Sequence, residues 1–339
     1  MSTERTERRG GAPGAYGLAV SSDADLPGLD EPNGGGRRVT HRLVDPDSMS
    51  EQLQTGGWRR IGADGHGPGL VEYRERDGGD VLIRTRSFGD HAIVQRGRVV
   101  LSSVADVESE RRQSYILGQV LPMTASVQGL EIFHAGAVAV DGGVIAIAGP
   151  SEAGKSSLAA ALIASGAASF FTDDVLAVDA GAFGLVAYPG TNLIGVPHDV
   201  AATLPARLRV GPPWRVDGRK AVIRVRGERR ALPVRAFVRL TPDPTARAVD
   251  FEACPPDRLM ATTFDGVSRT PERLLRLLRV GALLAADGSA LELRYRPGSD
   301  PQAVAAAVLA RLELGPLGGR DAACPPWPEP GPLGGRDAA

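Results

Sequence analysis

The chain has 339 residues, of which 42% are hydrophobic and 23% charged, and its formal net charge is −1. This is enough apolar material for one large or two modest globular domains, which argues against global disorder. The near-neutral balance lacks the cation excess that sequence-independent attraction to a phosphate backbone requires, so nucleic acid is not an expected partner.

The first residues, Met1 to Gly11, are polar and charged and hold no apolar core of the length a signal peptide uses. No stretch approaches the roughly 20 apolar residues that span a bilayer, and the sequence reads as a cytoplasmic protein with no membrane partner. Residues 1–15 are expected to form a disordered leader. Residues 16–129 alternate short apolar runs, such as Val81-Leu82-Ile83 and Ala92-Ile93-Val94, with Gly-rich stretches, the pattern of a small β-rich domain. Its last part departs from that pattern. Ile116, Leu117, Val120 and Leu121 recur at helical spacing, which predicts a connecting helix over 110–127 with a kink at Pro122.

Two apolar runs, Ala135 to Val140 and Val144 to Ala148, flank Asp141-Gly142-Gly143 and predict two strands joined by a tight turn. A small-residue helix is expected from Lys155 to Ser165, ended by Gly166. Residues 169–171 and 175–178 read as one strand region interrupted by Asp173 and Asp174. Helices are predicted from Pro271 to Ala285, capped by Thr270, and from Pro301 to Leu312, capped by Asp300, with a strand from Ala290 to Tyr295 between them. The segment Gly315 to Ala323 recurs as Gly331 to Ala339; so short and Gly-rich a duplication predicts a flexible tail over 313–339, not a repeat fold. Cys254 and Cys324 lie far apart, and neither a disulfide framework nor a metal-ligand spacing is expected of them.

Only two of the 39 basic residues are lysines, Lys155 and Lys220. In so arginine-biased a chain, a lysine is expected where a planar guanidinium cannot replace a compact ammonium. Lys155 belongs to Gly149-Pro150-Ser151-Glu152-Ala153-Gly154-Lys155-Ser156, which fits G-x-x-x-x-G-K-[ST] and stands after an apolar strand and before a helix. Glycines allow such a loop to turn its N–H groups toward phosphates, and the helix N-terminus adds a favourable dipole. The loop from Gly149 to Ser157, including Ser151, Ala153, Gly154 and Ser157, is therefore expected to cradle ATP. Lys155 would reach its β and γ phosphates, and Ser156 would offer a hydroxyl to Mg2+. Glu152 is expected to point outward, away from the phosphates.

Thr172-Asp173-Asp174-Val175 follows at the distance of the next strand of a βαβ unit, which puts two carboxylates where α/β ligands bind. Adjacent side chains of an extended chain face opposite sides. One carboxylate would hold the metal, and the other would take the proton of an attacking hydroxyl. The basic stretch 207–239 reads as a solvated loop and edge strand; the alternative is that one or two of its cations reach the γ-phosphate or an acidic substrate on closure, with Arg219 and Lys220 as the candidates. Arg273, Arg276 and Arg279 read as a solvated helix face.

Phe133-His134-Ala135-Gly136, the Gly149 to Ser156 loop and Thr172 to Val175, in that order, resemble the C-terminal domain of the HPr kinase/phosphorylase family, P-loop kinases distantly related to phosphoenolpyruvate carboxykinase. Weaker similarity, at Tyr16 to Val20, Tyr188-Pro189-Gly190, Leu232-Pro233-Val234 and Leu291 to Tyr295, resembles the HPr-kinase-like proteins of bacterial natural-product clusters, including modifiers of lasso-peptide precursors. The resemblance implies an α/β fold with a P-loop core over 130–312 behind a β-rich domain. It implies His134 beside the transferred phosphate, Lys155 and Ser156 on phosphate and magnesium, Asp173 as general base and Asp174 as the metal-linked partner. The expected activity is Mg2+-dependent transfer of the ATP γ-phosphoryl to a hydroxyl of a peptide, protein or small molecule. The rival from another class is a nucleotide-responsive binding protein without an acceptor. A homo-oligomer is allowed by the sequence.

Overall fold

The computed structural model describes residues 12–29, 36–54, 56–64, 69–103, 107–181, 184–217, 220–264, 270–286 and 288–313. It is a mixed α/β structure built on two large sheets and a small one. The duplicated segment and Cys324 lie outside the described residues, as does Arg219. Among the described residues, no helix is long and apolar enough to cross a membrane.

The N-terminal sheet holds β1 (Gly14–Ala15), β2 (Leu18–Ser22), β3 (Arg37–Val44), β4 (Arg59–Asp64), β5 (Val71–Arg76), β6 (Asp80–Thr85), β7 (Gly89–Val94) and β8 (Val99–Ser103), with α1 (Pro46–Gln54) between β3 and β4. Their spatial order is β1-β2-β3-β8-β7-β6-β5-β4. Strand β1 lies inside the segment expected to be leader. The reason is a two-residue hairpin: Tyr16 and Gly17 both take positive φ, 57° and 75°, the turn whose twist matches that of paired strands. Strand β2 thereby finds a partner in Gly14–Ala15.

The connecting helix is α2 (Ser109–Tyr115), a π-helical turn over Ile116–Val120, and α3 (Leu121–Val127). The irregularity precedes Pro122, which occupies the first turn of α3. A proline has no N–H for the carbonyl four residues back, and the wider π turn absorbs that loss where a kink at Pro122 was expected.

The second large sheet contains β9 (Glu131–Phe133), β10 (Ala135–Val140), β11 (Gly143–Ala148), β12 (Ser169–Thr172), β13 (Leu176–Gly181), β14 (Gly184–Tyr188), β18 (Leu232–Pro242), β19 (Asp250–Ala253) and β20 (Ala290–Tyr295). Its main path runs β12-β10-β11-β18-β14-β13-β9, and β20 joins β18 to β19. Helix α4 (Lys155–Ala164) carries the chain from β11 to β12. Both strands are antiparallel to β10, which lies between them. They are therefore parallel to each other and end at the same edge of the sheet.

Strand alternation sorts two cores onto the two faces of this sheet. Val138, Val140, Ile145 and Ile147 pack against α4 and α8 (Pro301–Arg311). The opposite face presents alanines, Ala137, Ala139, Ala146 and Ala148, and the space they leave is filled by Phe133, Phe171, Phe237 and helices α6 (Pro256–Met260) and α7 (Pro271–Ala286). Helix α4 is buried through Leu158–Ile163, which explains why its sequence is apolar all round. A three-stranded sheet, β15 (Leu193–Pro197), β17 (Lys220–Arg224) and β16 (Arg215–Asp217) in that order, covers the edge near β12, with α5 (His198–Thr203) following β15.

The fold departs from the pattern of the sequence at β12–β13 and on α7. Residues 169–178 are not one strand region, because β12 pairs with β10 whereas β13 pairs with β9 and β14. The arginine stripe of α7 is a solvated face only at Arg279: Arg276 donates to Glu131 at 2.7 Å and Arg273 lies 3.6 Å from the same carboxylate, whose side chain is 0% exposed. A carboxylate buried on β9 demands cationic partners. Arg279, the third arginine of the stripe, stays exposed, as do Leu274, Leu275 and Leu278.

Candidate active site

Strand β11 ends at Ala148 and passes into the loop at Gly149, whose φ is 150°. A Cβ there would lie 3.0 Å from the Leu240 carbonyl oxygen, so the first glycine of the motif answers both a backbone and a packing demand. Gly154, with φ 80°, is the N-cap of α4, and the helix starts at Lys155. Lys155 is buried, and its Nζ donates to the carbonyls of Gly149 and Pro150, both at 3.1 Å. An ammonium carries three donors, so these two bonds draw the lysine across the loop with one donor in hand. Burial lowers its pKa first and Lys220 adds to this, while Asp174 and Asp173 oppose. Glu152 is exposed with φ 63°, and it lines the cavity beside Gly154 and Ser157. The Tyr295 hydroxyl donates to the Ala153 carbonyl, a brace that the motif did not indicate.

The acid pair lies at the carboxyl end of β12 in a bend, not in an extended strand. Val175 N–H donates to Asp173 O at 2.7 Å, Thr172 Oγ1 donates to Val175 O at 2.6 Å, and Asp174 takes φ 59°. Aspartate tolerates that left-handed conformation better than most residues. Division between two sides of a strand is thus replaced by a division in depth, with Asp173 half-buried and Asp174 exposed. Ser156 Oγ donates to Asp173 Oδ1 at 3.1 Å, and Gly195 N–H donates to Asp173 Oδ2 at 2.8 Å. Burial and the charge of Asp174 push the Asp173 carboxyl up to about 7, against the lowering effects of Gly195, Ser156 and Lys220.

His134 occupies the bend between β9 and β10, fixed by its N–H to Thr262 O at 2.7 Å. Its pKa is lowered by desolvation first and by Lys155 second, with Asp174 opposing. A cavity of about 580 Å3 brings His134 together with Asp173, Asp174 and Lys220. A second, of about 330 Å3, runs from His134 along Gly149, Pro150 and Ser151 to Arg239 and Arg258. Both arginines pair with Glu292, which is buried. They went unnoticed in the sequence because they come from β18 and α6, far from the motif. A third cavity, of about 200 Å3, adjoins Gly154 and Ser157 and is lined by Leu158, Pro242 and Tyr295.

The structure therefore brings together His134, Lys155, Ser156, Asp173, Asp174 and Lys220. Ser156 is joined to Asp173 rather than to Asp174, the carboxylate expected to share a metal with it. Among the described residues no cluster of three or more His, Cys, Asp or Glu side chains is arranged to hold a metal ion. The donors near the loop are hard oxygens of Ser156, Asp173 and Asp174, a set that suits Mg2+ held by one or two protein oxygens with water completing its shell.

No protein-family model matches the chain, and no curated protein matches it. Among solved structures it is similar to the Hpr(Ser) kinase/phosphatase from Coxiella burnetii, with 14% sequence identity over 54% of this chain and 98% of that chain, at a TM-score of 0.27. A match at that TM-score says nothing about chemistry; what this site can do follows from its own residues.

Proposed function

We propose that the chain is an ATP- and Mg2+-dependent phosphotransferase that moves the γ-phosphoryl group to a hydroxyl of a peptide, protein or small molecule. The observation that carries this reading is the Ser156 to Asp173 hydrogen bond of 3.1 Å. It ties the glycine-rich loop to the acid pair at one edge of the sheet, so that a phosphate on the loop and a proton acceptor are neighbours. Backbone N–H groups from Gly149 to Ser157 and the start of α4 bind the phosphates, and Lys155 offsets their charge. A carboxyl held near pH 7 is matched to taking a proton from a hydroxyl under neutral conditions. His134, between the two larger cavities, orders the phosphate end. Mg2+, when bound, would neutralise charge on the phosphates, held by Ser156 with Asp174 and leaving Asp173 as the base.

Incubation with γ-labelled Mg-ATP and a host extract tests the reading. Label should appear on a peptide or small molecule with the intact protein. Lys155→Ala and Asp173→Ala should each lower transfer by about 10²- to 10⁴-fold, with the Asp173 variant still binding ATP. Tight ATP binding with no labelled acceptor in any fraction would overturn it in favour of a nucleotide-responsive binding protein.

A further inference from the structure

The cavity of about 580 Å3 beside Asp173 has a volume suited to one small molecule or a few peptide residues, and most of its wall comes from outside the loop and the acid pair. On one side the rings of Phe88 and Tyr115 stack with centroids 4.4 Å apart and planes 9° apart, and Arg111 of α2 stands 5.9 Å over Phe88. Trp214 and Arg215, at the start of β16, and Tyr16, at the tip of the first hairpin, line the same space. The π-helical turn adds Gly118 to this wall, and a Cβ on Gly118 would meet no atom within 4 Å. Such π turns concentrate at functional sites. Aromatic faces bind planar apolar groups, and guanidinium groups bind carboxylate or phosphate. The loop has no need of Phe88, Tyr115 or Arg111, which belong to the N-terminal sheet and α2.

We infer that this cavity is the acceptor site, and that the acceptor carries a planar apolar group and an anionic group close to the hydroxyl that reaches Asp173. The inference rests on the phosphotransfer reading. In the step it serves, the acceptor oxygen forms a bond to the γ-phosphorus while the bond from that phosphorus to the β–γ bridging oxygen breaks. ADP departs with the electron pair, and the hydroxyl proton passes to the Asp173 carboxylate.

The test uses probes that separate the two recognition elements. 3-Phenyllactate carries ring, carboxylate and hydroxyl; lactate lacks the ring, and 2-phenylethanol lacks the charge. A peptide arm compares N-acetyl-Ser-Phe-Asp amide with N-acetyl-Ser-Ala-Asn amide. Transfer from γ-labelled Mg-ATP is measured together with probe binding by saturation-transfer NMR. In at least one arm the probe with both ring and charge should exceed its controls in kcat/KM by about tenfold or more; which arm responds tells a peptide acceptor from a free small molecule. Gly118→Leu, which fills the cavity from the helix, and Phe88→Ala should raise the KM for that probe about tenfold with Mg-ATP affinity unchanged. Equal transfer to probe and controls, an unchanged KM in Gly118→Leu, or no probe binding in either arm overturns the inference while leaving the phosphotransferase reading standing. Binding that Gly118→Leu abolishes, without any transfer, keeps the ligand chemistry of the cavity and overturns the phosphotransfer reading instead.

Discussion

Asp173 uses its two oxygens differently: Oδ1 accepts from Ser156 and Oδ2 from the Gly195 N–H. Neither bond exhausts the lone pairs of a carboxylate oxygen, so a substrate proton can still be received. Burial and Asp174 raise the carboxyl to about 7, and only the ionised form is a base. The kcat/KM for transfer should therefore rise with pH through about 7, and the Asp173→Asn variant should lack that limb. The same shift affects stability with the opposite sign. A carboxyl whose folded pKa exceeds its unfolded value of about 4 is stabilising when protonated, and that contribution is lost as pH rises through about 7. Melting curves across pH should show Asp173→Asn more stable than the native chain above pH 7 and level with it below about pH 4. At Glu152, φ 63° imposes strain on a residue with a Cβ. Glu152→Gly should stabilise the protein by about 0.5 kcal/mol in denaturant unfolding, the strain relieved exceeding the added unfolded-state entropy.

At the scale of elements, α7 reverses its simplest reading. Its leucines Leu274, Leu275 and Leu278 are exposed, while Arg273 is buried and shares Glu131 of β9 with Arg276. Periodicity identifies a helix but not which stripe it buries, since that depends on a carboxylate about 140 residues earlier in the chain, which the helix meets only in the fold. Removing one partner of a buried pair strands the other charges, so Glu131→Ala should cost about 3–5 kcal/mol in urea unfolding. A more modest loss would mean that α7 re-docks on a different stripe. Strands β12 and β13 give the same lesson. Their residues read as one interrupted run, yet the bend at Asp173 and Asp174 sends them to different places in the sheet. Gly190 seals that bend: its N–H donates to Phe171 O, and a Cβ on it would overlap Thr172 Oγ1.

Across the whole molecule, one apolar cluster runs from the N-terminal sheet into the second. Tyr16, Leu18, Val20 and Val39 pack with Ile116 and Leu121 and continue to Leu130, Val175 and Leu193. Arg229 reinforces the junction, donating to Gly190 O at 3.0 Å and to Gly14 O at 2.9 Å. Unfolding should accordingly appear as a single calorimetric transition. A fragment covering 130–313 alone would expose Leu130, Ile132, Val175 and Leu193 and should not give a cooperative melt. Two separate transitions in the intact chain would refute that coupling.

The local features were legible in the amino-acid sequence: the hairpin at Asp141-Gly142, the small-residue helix after the glycine-rich loop, the caps at Thr270 and Asp300, and the chemical types of Lys155, Ser156, Asp173 and Asp174. These depend on φ preferences, periodicity and side-chain chemistry, which act over a few residues. It took the assembled fold to put β10 between β11 and β12, to bring Asp173 rather than Asp174 to Ser156, to set Tyr295 as a brace on the loop, and to gather Phe88, Tyr115 and Arg111 in one cavity with the acid pair. Those juxtapositions join residues between 17 and 142 positions apart in the hydrogen bonds concerned. They are set by burial of the faces of whole sheets, for which no short stretch of sequence carries the information.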